Sequence, residues 1–343
     1  MTKQILENSK KILVLTPSWV GDAVMSLPSV KRLSEICPSS QIDILCKPFV
    51  KDVFINNPLI KNIFEINSNH WKNKVREQAY DSTILLPNSF RSALILNQLN
   101  IKNRIGYPSE FRRFLLTQPI KLKKDLKQKH HAYYYMNLID GNYNEKPVAE
   151  IHVSDEEKKA AQKMLEKKDI PKGKWIVGIV PGAQNSRAKQ WFPERFALLS
   201  DILTKTYKAK IVIFGNKAER KLAENVADLM EADSINFAGE TTLRETIGLM
   251  SLCSIFVSND TGGMHLAAAC GKPVVALFGP TEDWNTSPLG ENHLIIRQPV
   301  PCSPCMLRDC PIDHRCFRLL TVDRVRREME HWLYTIPPEF QPN

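Results

Sequence analysis

The sequence predicts two doubly wound α/β domains facing a central cleft, and three observations carry that prediction. Short apolar runs alternate with stretches of helical spacing along the whole chain. The runs are continuous, so each strand is buried on both faces, as in a parallel sheet wrapped by helices. The alternation restarts after Pro171, and 343 residues are enough for two such domains.

In the first half, Lys11–Leu15 (KILVL) reads as a strand, Thr16–Asp22 as a loop and Ala23–Ile36 as a helix. Strands follow at Ile42–Leu45, Asn62–Ile66 and Ser82–Leu86. The polar helical stretch from Asp155 closes at Pro171, which places the domain boundary at 168/169. The second series runs strand Trp175–Val180, helix Pro193–Leu203, strand Lys210–Phe214 and helix Ala218–Glu231. It continues with strand Ser254–Ser258, helix Gly263–Cys270 and strand Pro273–Phe278. A last helix begins at Val322, and the segment 322–343 is open to packing on either domain.

Composition removes several classes. With 43% hydrophobic and 24% charged residues the chain is an ordinary globular one, not a disordered one. No apolar run reaches the roughly 18–20 residues of a membrane span. Residues 1–11 do not resemble a secretory signal, so a cytoplasmic location is expected. The net charge of +10 favours an anionic partner. Between Arg91 and Lys129 lie ten basic residues and two acids, a local excess of +8 that is either a solvated face or a phosphate-binding surface.

Ligands of doubly wound sheets bind where strands run into helices. Neither a G-x-G-x-x-G nor a Walker A loop is present, which demotes nicotinamide and P-loop enzymes. The strongest local signal is Val257–His265 (VSNDTGGMH), at a strand-to-helix junction. Asp260 or Thr261 suits an N-cap, Gly262 and Gly263 admit a ligand close to the backbone, and the helix dipole favours a diphosphate. His265 follows one turn in; a plain capped helix is the alternative. The loop Pro181–Trp191 (PGAQNSRAKQW) offers Lys189 as a point charge for a leaving phosphate. Glu219, just after Gly215, could accept from ribose hydroxyls or simply complement a helix dipole. Asp22, in Pro17–Asp22 (PSWVGD), reads as an N-cap by itself and as a general base if it faces a nucleotide on the other domain.

Taken together, PSWVGDAVMSL at 17–27, the Pro-Gly-Ala…Ala-Lys-x-Trp loop, NDTGGMHLAAA at 259–269 and Phe-Gly-Pro-Thr at 278–281 resemble the ADP-heptose:lipopolysaccharide heptosyltransferases of glycosyltransferase family 9. The opening PSWVGD and the Cys-Ser-Pro-Cys…Cys-Pro…Cys segment are similar to the branch that adds the second heptose. The sequence departs from the family pattern at Gly263, where a larger apolar residue is usual, and at Gln190, where a second cation is usual.

The resemblance implies a GT-B fold, with acceptor held by residues 1–168 and ADP-heptose by residues 169–343. It makes Asp22 the catalytic base, Lys189 the diphosphate contact and Glu219 the ribose contact. Asp260, Thr261, Gly262, Gly263 and His265 line the pyrophosphate and donor sugar. The implied reaction is inverting transfer of heptose to the first heptose of a lipid A–Kdo–heptose acceptor, at the inner face of the inner membrane. No cofactor is required and a monomer is expected. Transfer to a different acceptor, or from another sugar nucleotide, remains an alternative. A basic nucleic-acid-binding module, with Tyr107, Phe111 and Phe114 interleaved in the basic stretch, is a distant one; no nucleic acid is expected.

Cys302, Cys305, Cys310 and Cys316 are spaced C-x2-C-x4-C-x5-C around His314, leaving structural zinc, free thiols and disulfides as readings.

Overall fold

A computed structural model, describing residues 2–66, 70–184 and 186–342, shows two six-stranded sheets in which every recorded strand pairing is parallel. The chain divides into units of residues 1–152 and 153–343.

The first unit contains β1 (Lys11–Leu15), β2 (Gln41–Cys46), β3 (Ile63–Glu65), β4 (Ser82–Leu85), β5 (Asn103–Gly106) and β6 (Gln118–Pro119). Their order across the sheet is β3-β2-β1-β4-β5-β6. Its helices are α1 (Thr2–Glu7), α2 (Val20–Ile36), α3 (Trp71–Glu77), α4 (Phe90–Asn97) and α5 (His131–Met136). Leu13, Leu15, Leu45 and Leu85 from the central strands pack with Trp71, Val75, Ala93 and Leu96 from helices α3 and α4.

In the second unit, α6 (Asp155–Glu166) precedes β7 (Ile176–Val180), followed by α7 (Pro193–Tyr207), β8 (Lys210–Ile213), α8 (Arg220–Leu229) and β9 (Ser234–Asn236). Next come α9 (Leu243–Met250), β10 (Ile255–Asn259), α10 (Gly262–Ala269) and β11 (Val274–Phe278). The unit ends with α11 (Asp283–Thr286), β12 (Leu294–Arg297), α12 (Arg315–Arg318) and α13 (Val322–Leu333). The order β12-β11-β10-β7-β8-β9 repeats that of the first sheet, read from the other edge. Each sheet therefore reverses direction once, between β1 and β4 and between β7 and β10. Those two switch points are where such folds open a crevice for ligands.

Two boundaries differ from the sequence reading, and the packing of the last helix, which the sequence left open, is visible. The domain division falls at 152/153, because α6 packs on α9 of the second unit. Glu157 closes the Ser154 capping box and also accepts from Arg244 Nη2 at 2.7 Å, fixing α6 at both ends of that side chain. The last helix is settled: Val325, Met329, Trp332 and Leu333 of α13 are buried in the core of the second unit with Trp191 and Phe317. Finally, α2 begins at Val20, with Ala23 N donating to Trp19 O at 2.8 Å. Asp22 is thus inside the first helical turn, where a carboxylate complements the dipole, and not at the N-cap. No helix among the described residues is long and apolar enough to cross a membrane.

Candidate active site

In the second unit the predicted loops meet beyond β7 and β10, on either side of the switch point. Lys189 Nζ donates to Asp260 Oδ2 at 2.7 Å, and Thr281 Oγ1 donates to the same oxygen at 2.8 Å. Asp260 is buried while Lys189 keeps 28% of its side chain exposed. The carboxylate is thus satisfied on the protein side, and part of the Lys189 side chain stays accessible. Asp260 was one candidate for the cap of α10; its carboxylate instead holds Lys189. Thr261 occupies the N-cap position but makes no side-chain capping bond. An absent cap of this kind costs a helix about 1 kcal/mol and leaves the first N–H groups, at Gly262 and Gly263, for an anion.

The neighbouring residue Asn259 ties the two loops together. Its Oδ1 accepts from Trp191 N at 3.0 Å and its Nδ2 donates to Pro181 O at 2.7 Å. Close packing explains Gly263: a Cβ there would lie 2.7 Å from Val180 Cγ1. Val180, the last residue of β7, fills the space a larger residue at 263 would take. His265 is buried one turn into α10.

Glu219 belongs to a capping box with Asn216 and accepts from Asn216 N at 2.9 Å. Its other oxygen lies under the β7 loop, where a Cβ on Gly182 would come within 2.3 Å of Oε1. Burial raises the Glu219 carboxyl above its ordinary pKa, against the lowering effect of N–H bonds from Asn216 and Gln184. The carboxylate borders a shallow recess shared with Arg187, Gln190 and Leu222. Asn185, in the same loop, lies outside the described residues.

Sequence reasoning missed the contacts that hold Lys189 in place. Ala188 N donates to Arg308 O at 2.9 Å, and His314 Nε2 is 2.7 Å from Ala188 O. The cysteine-rich segment thus braces the turn that carries Lys189. Its four thiols are free, and among the described residues no group of three or more His, Cys, Asp or Glu side chains is disposed to hold a metal ion. Structural zinc gains no support.

In the first unit, Asp22 meets two residues of α5 that the sequence reading did not single out. Tyr135 Oη donates to Asp22 Oδ1 at 3.4 Å, and His131 Nε2 lies 3.9 Å from that oxygen and 3.2 Å from Tyr135 Oη. Burial lowers the His131 pKa from its ordinary value, partly opposed by Asp22. Burial, reinforced by Asp22, raises that of Tyr135 well above the usual phenol. Near neutral pH, then, the carboxylate is flanked by a protonated phenol and a neutral imidazole. The spacing of four between His131 and Tyr135 in HHAYYYM was the signal that could have found them.

Two doubly wound units, each built on a parallel sheet, with a cation and an uncapped helix N-terminus at the switch point of the second, are the architecture of the GT-B class of glycosyltransferases. The chain matches the family described as glycosyltransferase family 9 (heptosyltransferase) over residues 69–315, and it belongs to that family. A lipooligosaccharide heptosyltransferase 2 from Haemophilus ducreyi is 33% identical over 308 residues, covering 84% of this chain and 88% of that protein. A lipopolysaccharide heptosyltransferase 1 from Campylobacter coli is 22% identical, over 81% of this chain and 86% of its own length. Among solved structures, the ADP-heptose lipopolysaccharide heptosyltransferase II of E. coli superposes with a TM-score of 0.82 at 26% identity, covering 95% of this chain and 99% of the other.

Proposed function

We propose that the protein transfers L-glycero-D-manno-heptose from ADP-heptose to the first heptose of the lipopolysaccharide inner core, with inversion at the anomeric carbon. The likeness to heptosyltransferase 2 of Haemophilus ducreyi, 33% identical against 22% for a heptosyltransferase 1, is the observation that carries this choice of acceptor. In this reading residues 153–343 bind the donor and residues 1–152 the acceptor, the protein works as a monomer from the cytoplasmic side, and no cofactor takes part.

Asp22 acts as the base. It takes the proton of the acceptor hydroxyl as the oxygen attacks the anomeric carbon, and the bond from that carbon to the ADP oxygen breaks on the opposite face. Positive charge builds on the sugar, as in glycoside hydrolysis, and negative charge builds on the departing diphosphate. Lys189 and the N–H groups of Gly262 and Gly263 meet that charge from fixed positions, so little reorganisation is needed at the moment of transfer. Asp260 and Thr261 border the diphosphate, His265 the donor sugar, and Glu219 the ribose. Tyr135 and His131 hold the Asp22 carboxylate in one orientation.

Mass spectrometry of the acceptor after incubation with ADP-heptose tests the reaction. A gain of one heptose per acceptor, matched to ADP released, is expected. ADP release without a change in acceptor mass would mean hydrolysis and would contradict the transferase reading.

A further inference from the structure

The loop between β5 and β6, residues 107–116, does something that neither sheet packing nor the proposed chemistry requires. It holds Phe111 and Phe114 in solvent, 94% and 74% exposed. Phe90, at the start of α4, lies against Phe114 with ring centroids 6.1 Å apart, and Leu94 one turn on is also exposed. Apolar rings left uncovered in this way mark an interaction surface.

The loop is built to keep them there. The Arg112 side chain, between the two phenylalanines, is fully buried and donates only to neutral acceptors: Tyr107 O at 2.8 Å, Ser89 O at 3.1 Å and Ser92 Oγ at 2.9 Å, together with Pro87 O and Asn88 Oδ1. One guanidinium thus staples the loop to the β4–α4 connection. Glu110 Oε2 accepts from Phe90 N at 3.0 Å and draws the tip to the start of α4. Glu110 and Phe111 both take left-handed backbone conformations, φ 50° and 56°, which turn the Phe111 ring outward at a cost that the staple offsets.

Charge selects the partner. Arg91 and Arg113, adjacent to Phe90 and Phe114 in the chain, are exposed, and so are Lys121, Lys123, Lys124 and Lys127 further along. Of the ten basic residues between 91 and 129, Arg112 and Arg104 are turned inward to backbone carbonyls. Exposed aromatic rings with exposed cations beside them in the chain are the combination that enters the interface of an anionic bilayer. A nucleic acid is disfavoured, since Tyr107, the third aromatic of this stretch, is buried against Tyr134.

We infer that the 107–116 loop is a membrane-docking finger, in which Phe111, Phe114 and Phe90 enter the headgroup–acyl boundary of an anionic bilayer while Arg91 and Arg113 engage lipid phosphates. Because β1, β4 and β5 are parallel, this finger leaves the same C-terminal end of the strands as the start of α2, which carries Asp22. Docking would therefore bring that end of the sheet to a lipid-borne acceptor, and for this purpose the inference rests on the proposed function.

The test is co-sedimentation of the full chain with phosphatidylglycerol–phosphatidylethanolamine vesicles and with phosphatidylcholine vesicles, alongside turnover of a water-soluble, deacylated acceptor. The wild type is expected to pellet with the anionic vesicles only. The double variant F111S/F114S should lose at least roughly tenfold in partitioning, and R91Q/R113Q should lose about fivefold per residue. Both should keep their melting temperature and their turnover of the soluble acceptor. Equal pelleting of F111S/F114S would overturn the finger, as would a wild type that turns over soluble acceptor without binding vesicles. Loss of soluble-acceptor turnover in F111S/F114S would also overturn it, by placing the loop in the acceptor site. Failure of the wild type on every acceptor, with vesicle binding intact, would instead strike the proposed function and leave the finger standing.

Discussion

Lys189 and Asp260 form a 2.7 Å ion pair between loops that leave strands β7 and β10. The contact joins residues 71 apart in sequence and sits at the switch point of the second sheet. Thr281, from the loop after β11, donates to the same carboxylate oxygen, and Thr286 Oγ1 donates to the other at 3.5 Å. The pair gives the ammonium a defined position before any anion arrives, which is what a preorganised diphosphate contact needs.

Removing the cation should therefore affect binding as well as rate. Lys189→Ala is expected to weaken ADP at least roughly tenfold, the scale of a charge-assisted contact worth about 1.5–3 kcal/mol. It should also lower stability by about 1–3 kcal/mol, because Asp260 stays buried with less compensation. Calorimetric titration with ADP and thermal unfolding check the two effects; unchanged ADP affinity would remove Lys189 from the diphosphate site.

Asp22→Asn separates chemistry from binding. It should fold and bind ADP as the wild type does, yet lose at least roughly a hundredfold in kcat, the usual cost of a missing general base. Near-normal turnover in a steady-state ADP-release assay would take the base role away from Asp22.

Acid should act through His131. Its folded pKa lies below the ordinary value of about 6.5, so the unfolded chain binds more protons once pH falls below that value. Its contribution to stability is present above about pH 6.5 and is lost as pH drops toward the folded pKa. His293, lowered by burial in the same direction, adds to this slope. The readout is accordingly a difference: melting temperature between pH 5.5 and 7.5 should fall less steeply on acidification in His131→Gln than in the wild type. Parallel curves would contradict the assignment.

Packing at Gly263 gives a prediction about neighbours. Gly263→Ala should destabilise, since overpacking costs about 1–3 kcal/mol and the helix gain from alanine returns about 1 kcal/mol. Adding Val180→Ala should recover part of that loss, because the clash is with Val180 Cγ1 at 2.7 Å. Simple additivity of the two substitutions in denaturant unfolding would show that the two side chains do not collide.

The central strands were legible because β1, β7, β10 and β11 are runs of buried residues with little competing pattern. Strands β5, β6, β9 and β12 were not assigned. They are two to four residues long, lie toward the sheet edges, and mix polar residues with apolar ones. The start of α2 was hidden by Trp-Val-Gly, a sequence with weak helix propensity that tertiary packing overrides. Motif spacing located the Lys189 loop and the α10 junction. It could not show that Asp260 turns to Lys189, nor that His314 braces the Lys189 turn from 126 residues away, since both depend on long-range closure of the sheet.

The most direct test of the central claim is ADP release from ADP-L-glycero-β-D-manno-heptose with two acceptors, Kdo2-lipid A and the same molecule already carrying one heptose. Turnover with the heptosylated acceptor alone is the predicted result. Turnover with the bare acceptor alone would contradict it and move the transfer one step earlier in the core.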